Sequence, residues 1–410
     1  MSALTLDRML HPDEARSIVL ARVSRLEPED VALEDAGDRY LAYDLVADVD
    51  LPPFPAATMD GFAVLHTDTS PIREIVGAGF AGDAPGEMVA LGQVARIMTG
   101  APIPPGATAV VPVENTVMTN GRVEIRQQVV REGENIRPIG TDLRRGDLLI
   151  PAGTRLGPAE LGILASLGYA TVVVGRRPRV AVFSTGNELV PPDAQPGPGQ
   201  IRDSNRFSLV QAARRVGADV VLSGLVRDEE AALRAAFADA LARADVVITS
   251  GGVSMGDRDL VKGLLGELAE VHIRRIFMKP GKPFNFATTD RALLFGLPGN
   301  PVSCLVGFET FVAPALRMMQ GAPADVAPRV PVTITHTLQP SDRIEHQRAV
   351  VWVAEDGTLH ARNTGNQISA RLMSFVGSNG FLVVPPGEDV LPAGTRLEAI
   401  LLGAPYASER

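Results

Sequence analysis

Residues 179–188 read RVAVFSTGNE, 245–252 read DVVITSGG and 292–301 read ALLFGLPGNP. Each is a short apolar run that ends at glycine. Runs of this length without alternation describe strands buried on both faces. Between and after them lie stretches of helical spacing, at Phe207–Val216, Asp228–Ala242 and near Val302–Met319. Strand and helix therefore alternate, which predicts a doubly wound α/β domain. Ligands of such sheets sit beyond the carboxyl ends of the strands. The loops there are Ser184 to Glu188, Thr249 to Asp257 and Gly296 to Pro301. Glycine lets backbone N–H groups approach a phosphate, and a following helix N-terminus adds positive potential. A single loop of this kind is often only a turn; three together predict a phosphate-bearing ligand.

Common nucleotide signatures are missing. There is no G-x-x-x-x-G-K-[ST] run, and no G-x-G-x-x-G follows a strand with a suitable acid beyond it. This disfavours a P-loop kinase or an NAD enzyme. The six histidines are scattered, with none placed as the base of a Ser or Cys nucleophile, which disfavours a triad hydrolase.

Outward from the α/β segment, Arg176-Arg177-Pro178 marks a boundary. Before it, residues 12–26 have helical spacing with Pro12 in the first turn, and Pro158–Leu167 forms a second helix ended by Gly168. Between these, short apolar stretches (Glu74–Val76, Val94–Met98, Ala109–Val113, Val123–Ile125) alternate with Gly and Pro clusters, as in a small β domain. A proline-rich stretch, Ala322–Pro331, leads to a tail of short strands and turns.

At 410 residues the chain exceeds one ordinary core, and its 40 glycines and 32 prolines favour loop-built sites. The net charge of −9 and the lack of a basic tract predict no nucleic-acid partner. Any anion must then find a local cationic pocket. The one cysteine, Cys304, allows neither an internal disulfide nor a cysteine-rich zinc site. With no signal-like start and no obvious membrane span, the expected location is cytoplasmic, without a membrane partner.

Two lysines flank the turn in Lys279-Pro280-Gly281-Lys282-Pro283. They describe either an anion site on a stiff loop or an exposed hairpin with solvated ammonium groups. Glu188, Asp228, Asp257 and Asp259 are acids near the glycine loops, suited to Mg²⁺ beside a diphosphate. Asp228 also fits an N-cap, and Asp60-Gly61 fits a tight turn.

In order, the chain carries MDGFAV, MTGAPIPPGA, STGNEL, TSGGVSMGDRD, MKPGKP and LPGNPVS. The ordered set resembles the MoeA family, the molybdopterin molybdenumtransferases, which includes the gephyrin E domain. The resemblance spans essentially the whole chain. It implies an elongated multidomain fold of α/β plus β: a discontinuous N-terminal domain (1–45 and 140–177), a small β domain (46–139), an α/β molybdopterin-binding domain (178–327) and a C-terminal β-barrel-like domain (328–410). It implies a homodimeric transferase that inserts molybdenum from molybdate into adenylylated molybdopterin, releasing AMP with Mg²⁺ or another divalent cation.

The residues that follow are implied by that resemblance. Thr185, Gly186, Ser250, Gly251, Gly252, Ser254, Pro298, Gly299, Asn300 and Ser303 would hold the pterin phosphate. Glu188, Asp228 and Asp259 would line the cleft, the first two serving the metal, with Asp142 a further functional acid. Asp60 and Thr99 would enter from the second subunit. Lys279, Lys282, Pro283, Arg348 and Ser369 would bind molybdate, a doubly charged oxyanion suited to cationic donors. The molybdopterin adenylyltransferase and molybdoenzyme apoproteins or cofactor carriers are the implied partners. Asn187, Arg275 and Phe62 stand where the family often has Asp, Lys and Tyr. The alternatives are a tungstate-inserting relative and a gephyrin-like binding scaffold.

Overall fold

The computed structural model describes residues 8–82, 84–252, 260–323 and 327–409. The chain forms two compact units, one of Met1–Ala42 with Gly153–Arg410 and one of Tyr43–Ala152.

The first unit contains the α/β sheet. Its strands are β1 (Arg179–Thr185), β2 (Asp219–Val226), β3 (Val246–Ser250), β4 (Glu270–Arg275), β5 (Pro283–Thr288) and β6 (Leu293–Leu297). They lie in the order β2-β1-β3-β6-β5-β4. The first four in that order are parallel; β5 alone runs the opposite way, antiparallel to both β6 and the edge strand β4. Successive side chains of a strand face opposite ways. Val180, Val182, Val246 and Ile248 therefore pack on one face, against Leu209 and Ala213 of helix α1 (Asn205–Arg215). Ala181, Phe183 and Val247 pack on the other, against α2 (Glu230–Arg243) and α3 (Leu260–Leu268). Burial on both faces is why these strands read as unbroken apolar runs.

Two expectations about helix ends need correction. The N-terminal helix covers only Pro12–Leu20 and not 12–26: Leu26 instead donates its N–H to the carbonyl of Met319, which draws the chain away. Asp228 is no N-cap, because α2 begins one residue later, with Glu229 in the cap position and no side-chain cap bond. The segment from Pro301 to Met319 is long and apolar enough to span a membrane by length and composition, yet 72% of it is buried in the protein. It comprises α4 (Pro301–Gly307), a π turn at Phe308–Val312 and a further helix at Ala313–Met319.

The C-terminal strands are Arg329–Ile334, Ile344–Val353, Leu359–Asn363, Gly380–Val384 and Arg396–Leu401. Gly380–Val384 pairs with both Arg396–Leu401 and Ile344–Val353, so the pairing closes on itself as a small barrel. Met278–Lys279, from the two-lysine loop, adds an edge strand beside Ile344–Val353. That loop is thus tied into the barrel sheet and is not a free hairpin.

The second unit holds a six-stranded sheet of Ala109–Pro112, Gly61–Val64, Gln93–Ile97, Ile72–Gly79, Arg122–Ile125 and Thr116–Thr119, in that order. All four short apolar stretches expected to be strands lie in it. Asp60-Gly61, however, is no turn. Gly61 begins a strand that runs so close to its neighbour that a Cβ would lie 2.0 Å from the carbonyl oxygen of Val111.

Candidate functional site

The loops after β1, β3 and β6 meet at the carboxyl end of the sheet, around a cavity of about 400 Å³. Thr185, Gly186 and Glu188 come from the first loop, Ser250, Gly251 and Gly252 from the second, and Pro298, Gly299 and Asn300 from the third. Asp228, from the turn after β2, Pro283, from the start of β5, and Leu189, Ile201 and Asn205 complete its wall. Gly251 has φ +94°, and a Cβ there would stand 2.4 Å from the Thr185 carbonyl oxygen. No other residue fits at that position, so the first two loops touch only because the second turns on glycine. The Thr185 hydroxyl is buried without a hydrogen-bond partner among the described residues. An orphaned hydroxyl at a cavity wall is a group suited to a ligand oxygen.

Two carboxylates share this cavity. Burial raises the Asp228 carboxyl above its ordinary value, and the charge of Glu188 adds to the rise. The Asp228 N–H donates to Oδ1 of Asn187 at 3.2 Å, which fixes the acid beside the first loop. Asn187 thus acts here as an acceptor for backbone and adds no charge. No group of three or more His, Cys, Asp or Glu among the described residues could hold a metal ion. Glu188 and Asp228 nevertheless suit a hard cation that takes its remaining ligands from phosphate oxygens and water, because such an ion would relieve their repulsion. Ser254, Asp257 and Asp259 lie outside the described residues.

The residues expected to hold molybdate divide. Pro283 lines the cavity. Ser369 stands at its rim, where its Oγ accepts from Nδ2 of Asn300 at 3.1 Å and its carbonyl accepts from the Val302 N–H at 3.0 Å. Lys279 is instead engaged by Glu345: its Nζ donates to Oε1 at 2.9 Å. Burial would raise the Glu345 carboxyl, but hydrogen bonds from Ser341, Lys279 and Gln347 outweigh it and hold the group below its usual range. Lys282 is half-buried. Arg348 is fully buried; its Nε donates to Oγ of Ser374 at 2.9 Å, while Nη1 and Nη2 have no partner among the described residues. Burial lowers its guanidinium to about 10, opposed by the charge of Glu345. Two unsatisfied, buried guanidinium nitrogens are costly unless an anion or water reaches them. Ser303 is buried in the first turn of α4.

In the second unit, Oδ1 of Asp60 accepts from both the N–H and the Oγ1–H of Thr99, each at 2.7 Å. These bonds, the backbone one first, hold the Asp60 carboxyl below its ordinary value. Asp142 is exposed and paired with Arg137.

Sequence reasoning missed Asn205 and Glu345. Asn205 opens α1 and donates from Nδ2 to Oγ of Ser250 at 2.6 Å and to the carbonyl of Gly299 at 2.8 Å. Its place in Asp203-Ser204-Asn205 before a helix resembles ordinary capping, and only the fold brings it to the loops. Volume alone does not choose the site. A larger cavity of about 610 Å³ is lined by Pro12, Ile344, Val383 and Pro385, but it has no glycine loop and no carboxylate pair at a strand end.

Family comparisons agree with this geometry along the chain. Residues 10–168 match the MoeA N-terminal region (domain I and II), 181–318 the probable molybdopterin binding domain, and 336–402 the MoeA C-terminal region (domain IV). The chain is 36% identical over 391 residues to a molybdopterin molybdenumtransferase of Haemophilus influenzae, covering 94% of this chain and 97% of that one. It is 34% identical to a molybdopterin molybdenumtransferase of Bacillus subtilis, covering 97% and 95%. A solved molybdopterin biosynthesis MoeA protein from Pyrococcus horikosii superposes with a TM-score of 0.83 at 31% identity, covering 97% of this chain and all of that one (100%).

Proposed function

The chain belongs to the MoeA family of molybdopterin molybdenumtransferases, and from that premise we propose that it takes adenylylated molybdopterin and molybdate and releases AMP with the molybdenum-loaded cofactor. The observation that carries this reading is the single cavity into which the three glycine-bearing loops and the Glu188–Asp228 pair converge. Loop amides and the hydroxyls of Thr185 and Ser250 bind the phosphates, because preorganised donors favour an oxyanion without further ordering. Glu188 and Asp228 would hold a divalent cation such as Mg²⁺, which when bound supplies charge neutralisation at the pyrophosphate. Pro283, in the cavity wall, and Ser369, bonded to the wall residue Asn300, would meet the molybdate oxyanion. Lys279, Lys282 and Arg348 supply the positive charge for it. Binding in this arrangement exchanges the Glu345 partner of Lys279 for the incoming anion.

The reading includes a homodimer, cytoplasmic action, transfer to molybdoenzyme apoproteins or cofactor carriers, and supply by the adenylyltransferase. Catalytic roles for Asp60, Thr99 and Asp142 belong to it as well. Single-turnover conversion of adenylylated molybdopterin by the purified protein tests it, with and without molybdate, in the presence of Mg²⁺. Molybdate-dependent AMP release with matching cofactor formation is expected. Binding of the substrate with neither product formed, also with tungstate or other divalent metals, overturns the enzymatic reading.

A further inference from the structure

We propose that Asn205 is a positioning residue that commits the Ser250 hydroxyl to donating toward an anionic oxygen of the bound ligand; this rests on the phosphate-ligand reading above. Asn205 is nearly buried and lines the cavity. The Gly299 carbonyl can only accept a hydrogen bond, so the amide nitrogen of Asn205, and not its oxygen, must face it. That nitrogen carries two hydrogens. One goes to Gly299 and the other, at 2.6 Å, to the oxygen of Ser250.

A serine oxygen that accepts in this way has its own single hydrogen left to place. Among the described residues the thiol of Cys304 is within hydrogen-bonding reach of it. That thiol is buried and pushed up to about 12, so it is protonated at neutral pH and a weak acceptor. On its other side Ser250 borders the cavity. A phosphate oxygen there would form a charge-assisted bond, roughly twice as strong as a neutral one. With so weak an acceptor on the inner side, the hydrogen is free to turn outward when an anion arrives. The same carboxamide ties the loop after β3 to the loop after β6, the two loops that would cradle that anion.

The test is the Kd of the full-length protein for adenylylated molybdopterin, measured at pH 8 and pH 5. Asn205→Asp preserves shape, but at pH 8 the introduced carboxylate must accept from Ser250, which turns the hydrogen inward. The expected result is a Kd raised about 10- to 100-fold at pH 8. Toward pH 5 the introduced carboxyl takes up a proton, whose single hydrogen serves Ser250 or Gly299 but not both, and affinity relative to wild type recovers in part. Recovery also follows from removing the introduced charge beside an anionic ligand, so the positioning role is read from the cycle with Ser250→Ala: a loss in Asn205→Asp that is independent of the Ser250 hydroxyl overturns it. Ser250→Ala should lose affinity to a similar extent with no such recovery, and the double variant should lose no more than either alone. Should Asn205→Asp fail to fold, judged by its thermal melt, Asn205→Ala takes its place in the same cycle with Ser250→Ala. Additive losses, or variants that bind like wild type, overturn the positioning role alone. Wild-type protein that does not bind the probe overturns the phosphate-ligand reading and this inference with it.

Discussion

Nζ of Lys279 lies 2.9 Å from Oε1 of Glu345, and the two residues are register partners in adjoining parallel strands. A lysine expected to meet an oxyanion is thus neutralised by a carboxylate that is itself almost buried. Glu345→Gln leaves the ammonium unpaired and should strengthen oxyanion binding, lowering the Kd for molybdate several-fold in calorimetric titration. A weakened affinity in a folded variant would show that Glu345 holds Lys279 in its binding pose. The pH dependence has a defined sign. Because the Glu345 carboxyl is held below its ordinary value of 4.5, its contribution to stability is complete above that pH and is lost as the pH falls below it. Acid unfolding of Glu345→Gln should therefore be shallower than that of the wild type.

Asp228 behaves in the opposite way. Burial and then Glu188 raise its carboxyl, so its charge costs stability above its ordinary value of 3.8, and the cost disappears as the pH falls below it. Asp228→Asn should have an unchanged or raised Tm near neutral pH, since repulsion is removed. Its activity should fall on the order of 100-fold or more, as for loss of a general acid–base or metal-liganding group. A Tm well below wild type would show that Asp228 is chiefly a structural group.

Thr99→Val removes one of the two hydrogen bonds that Asp60 accepts and spares the backbone one. The Asp60 carboxyl should then titrate higher than in the wild type while remaining below its ordinary value, because the backbone bond is the largest contributor. A carbon-detected NMR titration of the Asp60 carboxyl reads this directly. An unaltered titration would mean that the hydroxyl points elsewhere in solution.

Gly61→Ala places a methyl group against the Val111 carbonyl, where its carbon would meet backbone at 2.0 Å. The strands must separate, and a loss of roughly 3 kcal/mol or more is expected. Denaturant unfolding of the variant should show the cost; a difference below about 1 kcal/mol would mean that the strand shifts freely.

The α/β domain was legible because its strands are buried on both faces, and Val180, Val182, Val246 and Ile248 leave no polar alternation to misread. The loops were legible because three glycine-bearing turns follow three strands of one sheet, although any one of them alone would read as an ordinary turn. What could not be read was pairing at a distance. Asp60-Gly61 follows the same local rule as a turn, and only the proximity of Val111 shows that the glycine serves strand contact. Asp228 before an alanine-rich helix satisfies the rule for a cap, but Glu229 takes that place and leaves the acid to the cavity. Glu345 lies 66 positions from Lys279, and no periodicity or motif connects them. Asn205 joins groups 45 and 94 positions away, which is equally invisible along the chain.

Ser369 accepts the Val302 N–H and the Asn300 side chain, so the first turn of α4 is finished by a residue from beyond the α/β domain. This has a consequence for biosynthesis. During translation the three glycine loops emerge long before Ser369, and a nascent chain that has folded its α/β domain still has an open helix end at the rim of its cavity. The cavity wall itself lies within residues 185–300, and what the barrel segment adds is the pair of bonds that finishes the helix end at its rim. A chain broken off after residue 323 therefore keeps every lining residue of the cavity and lacks the contacts by which Ser369 fixes Asn300 and Val302.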